Sequence, residues 1–225
     1  MQYQIKGQVT PVVEVTLNSG ETMYTQSGGM AWQTDGIEMS TNTNGGLMKG
    51  LGRMLAGESL FMANYTAKKD GAKIAFNATM PGSVIAIDCS KGSYIAQKRA
   101  FLAAEKSVDV KIAFTKKAGA GFFGGEGFIL QEIKGNGTAF LEIDGDAIEY
   151  DLAPGEVLKV DTGNVAAFES TVSYDIETIS GLKNIFLGGE GLFLTKLTGP
   201  GKVYLQTMSV SELAGLISTF IPSKN

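Results

Sequence analysis

The chain has 225 residues, of which 44% are apolar and 19% charged, with a formal net charge of −4 and a pI near 5.0. That balance excludes a disordered chain and gives enough length to bury a sizeable core. The acidic pI and the lack of a basic stripe argue against nucleic acid as a partner.

Histidine is absent. Ser-His-Asp and Cys-His catalysis, histidine-ligated zinc and the usual general base near neutral pH are therefore not available. The opening residues Met1 to Lys6 carry no apolar signal-peptide region. No apolar run reaches the length of about 18 residues that a spanning helix needs. Cys89 is the single cysteine, so no intrachain disulfide forms and a reducing compartment fits. A cytoplasmic location is expected, with membrane association as an option. The Asn-x-Thr sequons at Asn64, Asn77 and Asn136 read as strand and turn chemistry.

Three landmarks recur along the chain in the same order. Ser19-Gly20-Glu21, Pro81-Gly82-Ser83 and Pro154-Gly155-Glu156 each lead from a turn into a strand. A glycine-glutamate corner follows: Gly57-Glu58-Ser59, Gly125-Glu126-Gly127 and Gly189-Glu190-Gly191. After each corner, two alternating apolar runs flank a tight turn at Asp70-Gly71, Asn136-Gly137 or Pro200-Gly201. Asn-Gly and Asp-Gly supply positive φ angles, so each pair of runs is expected to form a β-hairpin. A further hairpin is expected around Asp144-Gly145, and the stretch Tyr94 to Phe114 reads as an inserted alternating run. The repeats span about 12–79, 80–151 and 152–208. Strands at this spacing argue an all-β sandwich or barrel. Together they predict one β domain over 1–208 with pseudo-threefold symmetry. Val210, Leu213, Ile217 and Phe220 then share a helical face, Ser209 or Ser211 can cap it, and Pro222 stops it. A short C-terminal helix with its tail over 209–225 is expected to pack on the β body or on a neighbouring subunit.

Four patterns carry possible chemistry. Glu58, Glu126 and Glu190 are candidate metal ligands if a threefold arrangement gathers them, because hard cations want several oxygens. The competing reading is that each carboxylate accepts hydrogen bonds from its own glycine corner. Gly119 to Gly124 matches GxGxxG but leads into a strand-like run instead of a helix, against nucleotide binding. Three apolar connections precede the corners: Leu47, Met48, Leu51, Met54 and Leu55; Phe122 and Phe123; Ile185, Phe186 and Leu187. Lys49 and Arg53, Lys116 and Lys117, and Lys183 lie close by. Such tips suit core or subunit-interface packing, or docking at an anionic membrane or partner groove. Cys89 has no activating base, and Trp32 and Tyr24 read as packing residues.

Asp161 to Glu169 followed by Val172-Ser173-Tyr174-Asp175, with Phe186 to Phe193 and Ala100 to Ala103, resembles the bacterial branch of the altered-inheritance-of-mitochondria twenty-four-like family. The resemblance covers most of the chain, with the first repeat most diverged (Ser59 stands where the other corners have glycine). It implies a body like that of the trp RNA-binding attenuation protein, a double-stranded β-helix-like arrangement with internal threefold pseudo-symmetry. It implies no catalytic residues and no cofactor. Eukaryotic members are associated with inner-membrane organisation. The expected function is a non-enzymatic structural or scaffold protein, a homo-oligomer that docks on a membrane or protein through the apolar connections. The alternative is a small-molecule or metal-binding β-barrel.

Overall fold

The computed structural model describes residues 1–26, 28–42, 62–116, 128–178 and 193–221. A leading strand, β1 (Gln2–Lys6), precedes three units of six strands. The first unit is β2 (Val12–Leu17), β3 (Thr22–Gln26), β4 (Met30–Gln33), β5 (Ile37–Asn42), β6 (Met62–Ala67) and β7 (Ala72–Asn77). The second is β8 (Gly82–Asp88), β9 (Tyr94–Gln97), β10 (Phe101–Glu105), β11 (Val108–Lys116), β12 (Phe128–Gly135) and β13 (Thr138–Asp144). The third is β14 (Ala147–Leu152), β15 (Val157–Asp161), β16 (Val165–Glu169), β17 (Ser173–Thr178), β18 (Phe193–Thr198) and β19 (Gly201–Gln206). A helix, α1 (Val210–Ser218), follows.

The strands form four antiparallel sheets in the orders β1-β2-β7-β4, β5-β6-β3-β10-β13-β8, β11-β12-β9-β16-β19-β14 and β15-β18-β17. In every unit the first, sixth and third strands make one half-sheet. The fifth strand pairs with the fourth and the second to make the other. The chain therefore passes from layer to layer at most turns, as a double-stranded β-helix does. The two inner sheets join halves from successive units, through β3 with β10 and β9 with β16. The third strand of each unit carries an irregularity in the same place, between Met30 and Trp32, Phe101 and Ala103, and Val165 and Ala167.

The expected hairpins are not hairpins. β6 and β7 lie in different sheets, as do β12 and β13, β18 and β19, and β13 and β14. The turns are arches between layers. Their backbone groups are spent on neighbouring turns. Gly20 N–H donates to Ala67 O and Ala67 N–H to Glu21 O, while Thr34 N–H donates to Lys73 O. The positive φ of Gly71, +74°, suits such an arch as well as a hairpin. The strands that pair directly with their sequence neighbours are β1 with β2, and the fourth with the fifth of each unit. The stretch Tyr94 to Phe114 is no insert, since it supplies β9, β10 and most of β11.

Burial follows the layering. In β2 and β7 of the outer first sheet, Val13, Val15, Leu17, Ile74 and Phe76 point inward, while Glu14 and Lys73 meet solvent. In the inner sheets both faces are covered, so runs such as Ala139-Phe140-Leu141 and Val165 to Phe168 are buried throughout. Phe140 packs with the first sheet, where the Tyr3 ring meets it edge-on at 4.9 Å. Ala139 and Leu141 pack with the third sheet. A third cluster, including Leu130, Phe168, Leu197 and Val203, seals the third sheet to the fourth. Small residues at Ala96, Ala103, Ala104, Ala166 and Ala167 let the layers approach.

A polar clamp accompanies each cross-unit junction. Gln26, at the end of β3, donates from Nε2 to Lys98 O at 3.3 Å, and Gln97, at the end of β9, donates to Thr162 O at 2.9 Å. Both acceptors belong to the short 3-10 turn that precedes the incoming strand. Truncating one fully buried ring between layers removes its packing contacts and leaves a cavity. Phe140→Ala is expected to lower stability by about 3–5 kcal/mol, read from urea unfolding midpoints.

Candidate functional site

Each apolar connection leaves the fourth strand of its unit and returns on the fifth. Those strands are antiparallel neighbours, and the last register pairs are Asn42 with Met62, Lys116 with Phe128, and Thr178 with Phe193. The two ends of each connection therefore lie side by side, at the same position in all three units. Leu47, Met48, Lys49, Leu51, Arg53, Met54, Leu55, Phe122, Phe123, Ile185, Phe186 and Leu187 lie outside the described residues. So do Glu58, Glu126, Glu190, the GxGxxG stretch, Lys117 and Lys183.

Two carboxylates whose pKa values burial raises were not singled out in the sequence. Glu142 and Asp144 stand two apart on β13, on one face of the sheet. Glu142 accepts from Thr79 N–H at 2.6 Å and from the Thr79 hydroxyl at 3.0 Å. Burial raises its pKa above the usual carboxylate value; the Thr79 hydrogen bonds and nearby Arg99 oppose the rise, and Asp144 adds to it. Burial also raises Asp144, with Arg99 again opposing. Alternating apolar and acidic residues on a strand normally signal a solvated face; the covering layer is what changes this one. Among the described residues no group of three or more histidines, cysteines, aspartates or glutamates is placed to hold a metal ion.

Cys89 is buried at the end of β8, and its thiol is pushed up to about 11 by burial, with Asp88 adding to the rise. Tyr24 is a packing residue, as expected. Its ring lies 5.6 Å from that of Phe101, and its hydroxyl donates to Val108 O at 2.8 Å. Trp32 is not a packing residue in the same sense. It is 49% exposed on β4, the last strand of the first sheet. Gln131 is fully buried in β12, with neither amide atom hydrogen-bonded.

The C-terminal helix forms where its period placed it. Ser209 Oγ accepts from Glu212 N–H at 3.2 Å and closes its first turn. Of the two expected docking places, the β body covers only the first turns of the helix, and a neighbouring subunit is the other. Val210 and Leu213 are half-buried, while Leu216, Ile217, Phe220 and Ile221 are exposed, Phe220 to 79%. No helix among the described residues is long and apolar enough to cross a membrane.

The family model described as "Mitochondrial biogenesis AIM24" matches residues 3–208, which is the β body without its helix. The chain belongs to the AIM24 family. An uncharacterized protein of Streptococcus pyogenes serotype M6, M6_Spy0233, is 30% identical over 223 residues, covering 96% of this chain and 88% of the relative. The crystal structure of protein SPYM3_0169 from Streptococcus pyogenes superposes with a TM-score of 0.81 at 26% identity, covering 98% of this chain and 99% of that one. That match shows the same fold over nearly the whole length of both chains.

Two outcomes follow from the titratable groups. Because burial raises Glu142, its contribution to stability is fully present below the ordinary glutamate range and is lost as pH rises through the raised value. Glu142→Gln removes that loss. The stability of this variant relative to wild type is expected to improve as pH rises above the ordinary glutamate range in urea titrations, and the opposite slope would contradict the assignment. The Cys89 thiol is expected to resist a thiol-specific reagent in the folded protein and to react fully once urea unfolds it.

Proposed function

We propose that this AIM24 protein is a non-enzymatic structural scaffold that docks peripherally on a membrane surface through exposed apolar side chains. The observation that carries the reading is α1 and the turn after it. Leu216, Ile217, Phe220 and Ile221 present a contiguous apolar stretch to solvent at the end of the chain. A short amphipathic helix of this kind buries its apolar side at the boundary between headgroups and acyl chains. The three connections support the reading by composition: each joins the same strand pair of its unit, and Lys49 and Arg53 in the first would meet anionic headgroups. If the units are related by a threefold arrangement, the connections gather at one end of the body. A protein groove that accepts the helix is the competing occupant.

Vesicle flotation separates these readings. Wild-type protein is expected to float with phosphatidylserine-containing vesicles at low salt. Phe220→Asp with Ile221→Asp is expected to abolish flotation, and Lys49→Glu with Arg53→Glu to weaken it several-fold. Wild-type protein that stays at the bottom of the gradient at low salt removes membrane docking.

A further inference from the structure

The four sheets do not end alike. Each inner sheet is complete, with the half made by the fourth, fifth and second strands of one unit joined to the half made by the third, sixth and first strands of the next. The outer sheets are the two unmatched halves. The first sheet ends at β4, a third strand, and no described second strand lies beside it. The fourth sheet ends at β15, a second strand, and no described third strand lies beside it. The junction made twice inside the chain, β3 with β10 and β9 with β16, is thus missing one strand at each end of the molecule.

We propose that β15 of one molecule pairs antiparallel with β4 of a second copy, joining chains head to tail through the junction that joins units within a chain. The partner is this chain and no other class of protein, because the two edges are the complementary halves of one repeated interface. β4 already has the irregularity after its first residue that β10 and β16 carry in their paired state. The burial contrast points the same way. Phe101 to Ala104 and Val165 to Phe168 are buried, whereas at the matching edge Ala31, Trp32 and Gln33 are exposed. On β15, Val157 is 47% exposed and Lys159 also faces solvent, while Met23, Tyr24 and Thr25 of β3 are buried. An open strand edge with apolar side chains is a template for another strand.

The intermolecular junction is the weaker version. Gln26 and Gln97 clamp the internal junctions, but β15 ends in Asp161, whose carboxylate accepts from Gly163 N–H at 2.8 Å and cannot donate to an incoming carbonyl. Lys159 on β15 also adds a charge beside the edge, in an ion pair with Glu177 at 2.7 Å. Assembly is therefore reversible and concentration-dependent. Because the contact is heterologous, copies extend into a ring or a filament instead of stopping at a symmetric dimer.

This interface is independent of the docking surface, and its test is mass and not flotation. Analytical ultracentrifugation of wild-type protein from about 1 to about 100 µM is expected to show mass rising in whole multiples of the chain. Acrylamide quenching of Trp32, the single tryptophan, is expected to fall over the same range as its ring becomes covered. Trp32→Lys and Val157→Lys each spoil one edge and are expected to be monomeric alone, with wild-type circular dichroism. Mixed in equal amounts, they retain one good edge of each kind and are expected to form a one-to-one dimer that grows no further. A wild-type protein that stays monomeric throughout overturns the proposal. So does assembly that both variants leave unchanged, or a mixture that stays monomeric while wild type assembles.

Discussion

The antiparallel hydrogen bonding between the second strand of one unit and the third strand of the next is the constraint on which this architecture rests. It makes the inner sheets six strands wide and covers them on both faces, and so explains why apolar side chains there occupy consecutive positions instead of alternate ones. Ala139, Phe140 and Leu141 serve two cores at once, Phe140 on one side and its neighbours on the other. The units are consequently not beads on a string. The outer units each share one half-sheet and the middle unit shares both, while each core fills the space between facing layers and draws most of its side chains from one unit. The raised pKa values of Glu142 and Asp144 have the same origin, since burial on β13 disfavours their charged forms.

Local chemistry made some of this visible in the sequence, and its limits follow from what local chemistry encodes. Strand positions after each tight turn were legible because alternation and β-branched residues report a pleated, half-buried surface. The helix was legible from a 3.6-residue period and a serine at its cap, and Ser209 is the residue that closes it. Pairing was not legible. Asp70-Gly71 permits a sharp reversal, but whether the flanking strands lie beside each other or in two layers depends on Glu21, Thr34 and their backbone partners elsewhere in the chain. Trp32 illustrates the same gap: an aromatic residue in a strand reads as core, and only the order of strands reveals that β4 stands at an edge. The apolar connections could be recognised by composition, and the strands that hold them fall at equivalent places in the three units. The exposed side of α1 could not be foreseen, because a helical period gives the direction of the apolar face and not what lies against it.

The functional reading has a common physical thread. Chemistry that depends on histidine is absent by composition, the cysteine is buried with a raised pKa, and of the two carboxylates that burial raises, Glu142 is held by Thr79 and both lie near Arg99. Many of the exposed charges among the described residues are in ion pairs. Ion pairs such as Lys6 with Glu14 and Lys159 with Glu177 decorate the outer sheets, and exposed pairs of this kind stabilise a fold by little. What remains distinctive on the surface is apolar: the helix with the turn after it, and the two strand edges. The proposed docking and self-assembly both rest on these surfaces.

Shared sheets also govern the order in which the molecule can be built during synthesis. When β3 leaves the ribosome its partner β10 has not been made; Thr25 waits for Ala103, and Ala96 in turn waits for Ala167. The first unit therefore spends its earliest moments with an unsatisfied edge and only part of its second layer. A nascent chain in that condition is most exposed to pairing with a sister chain on the same message. The waiting edge belongs to the second strand of a unit, and it closes only when the third strand of the next unit has been made.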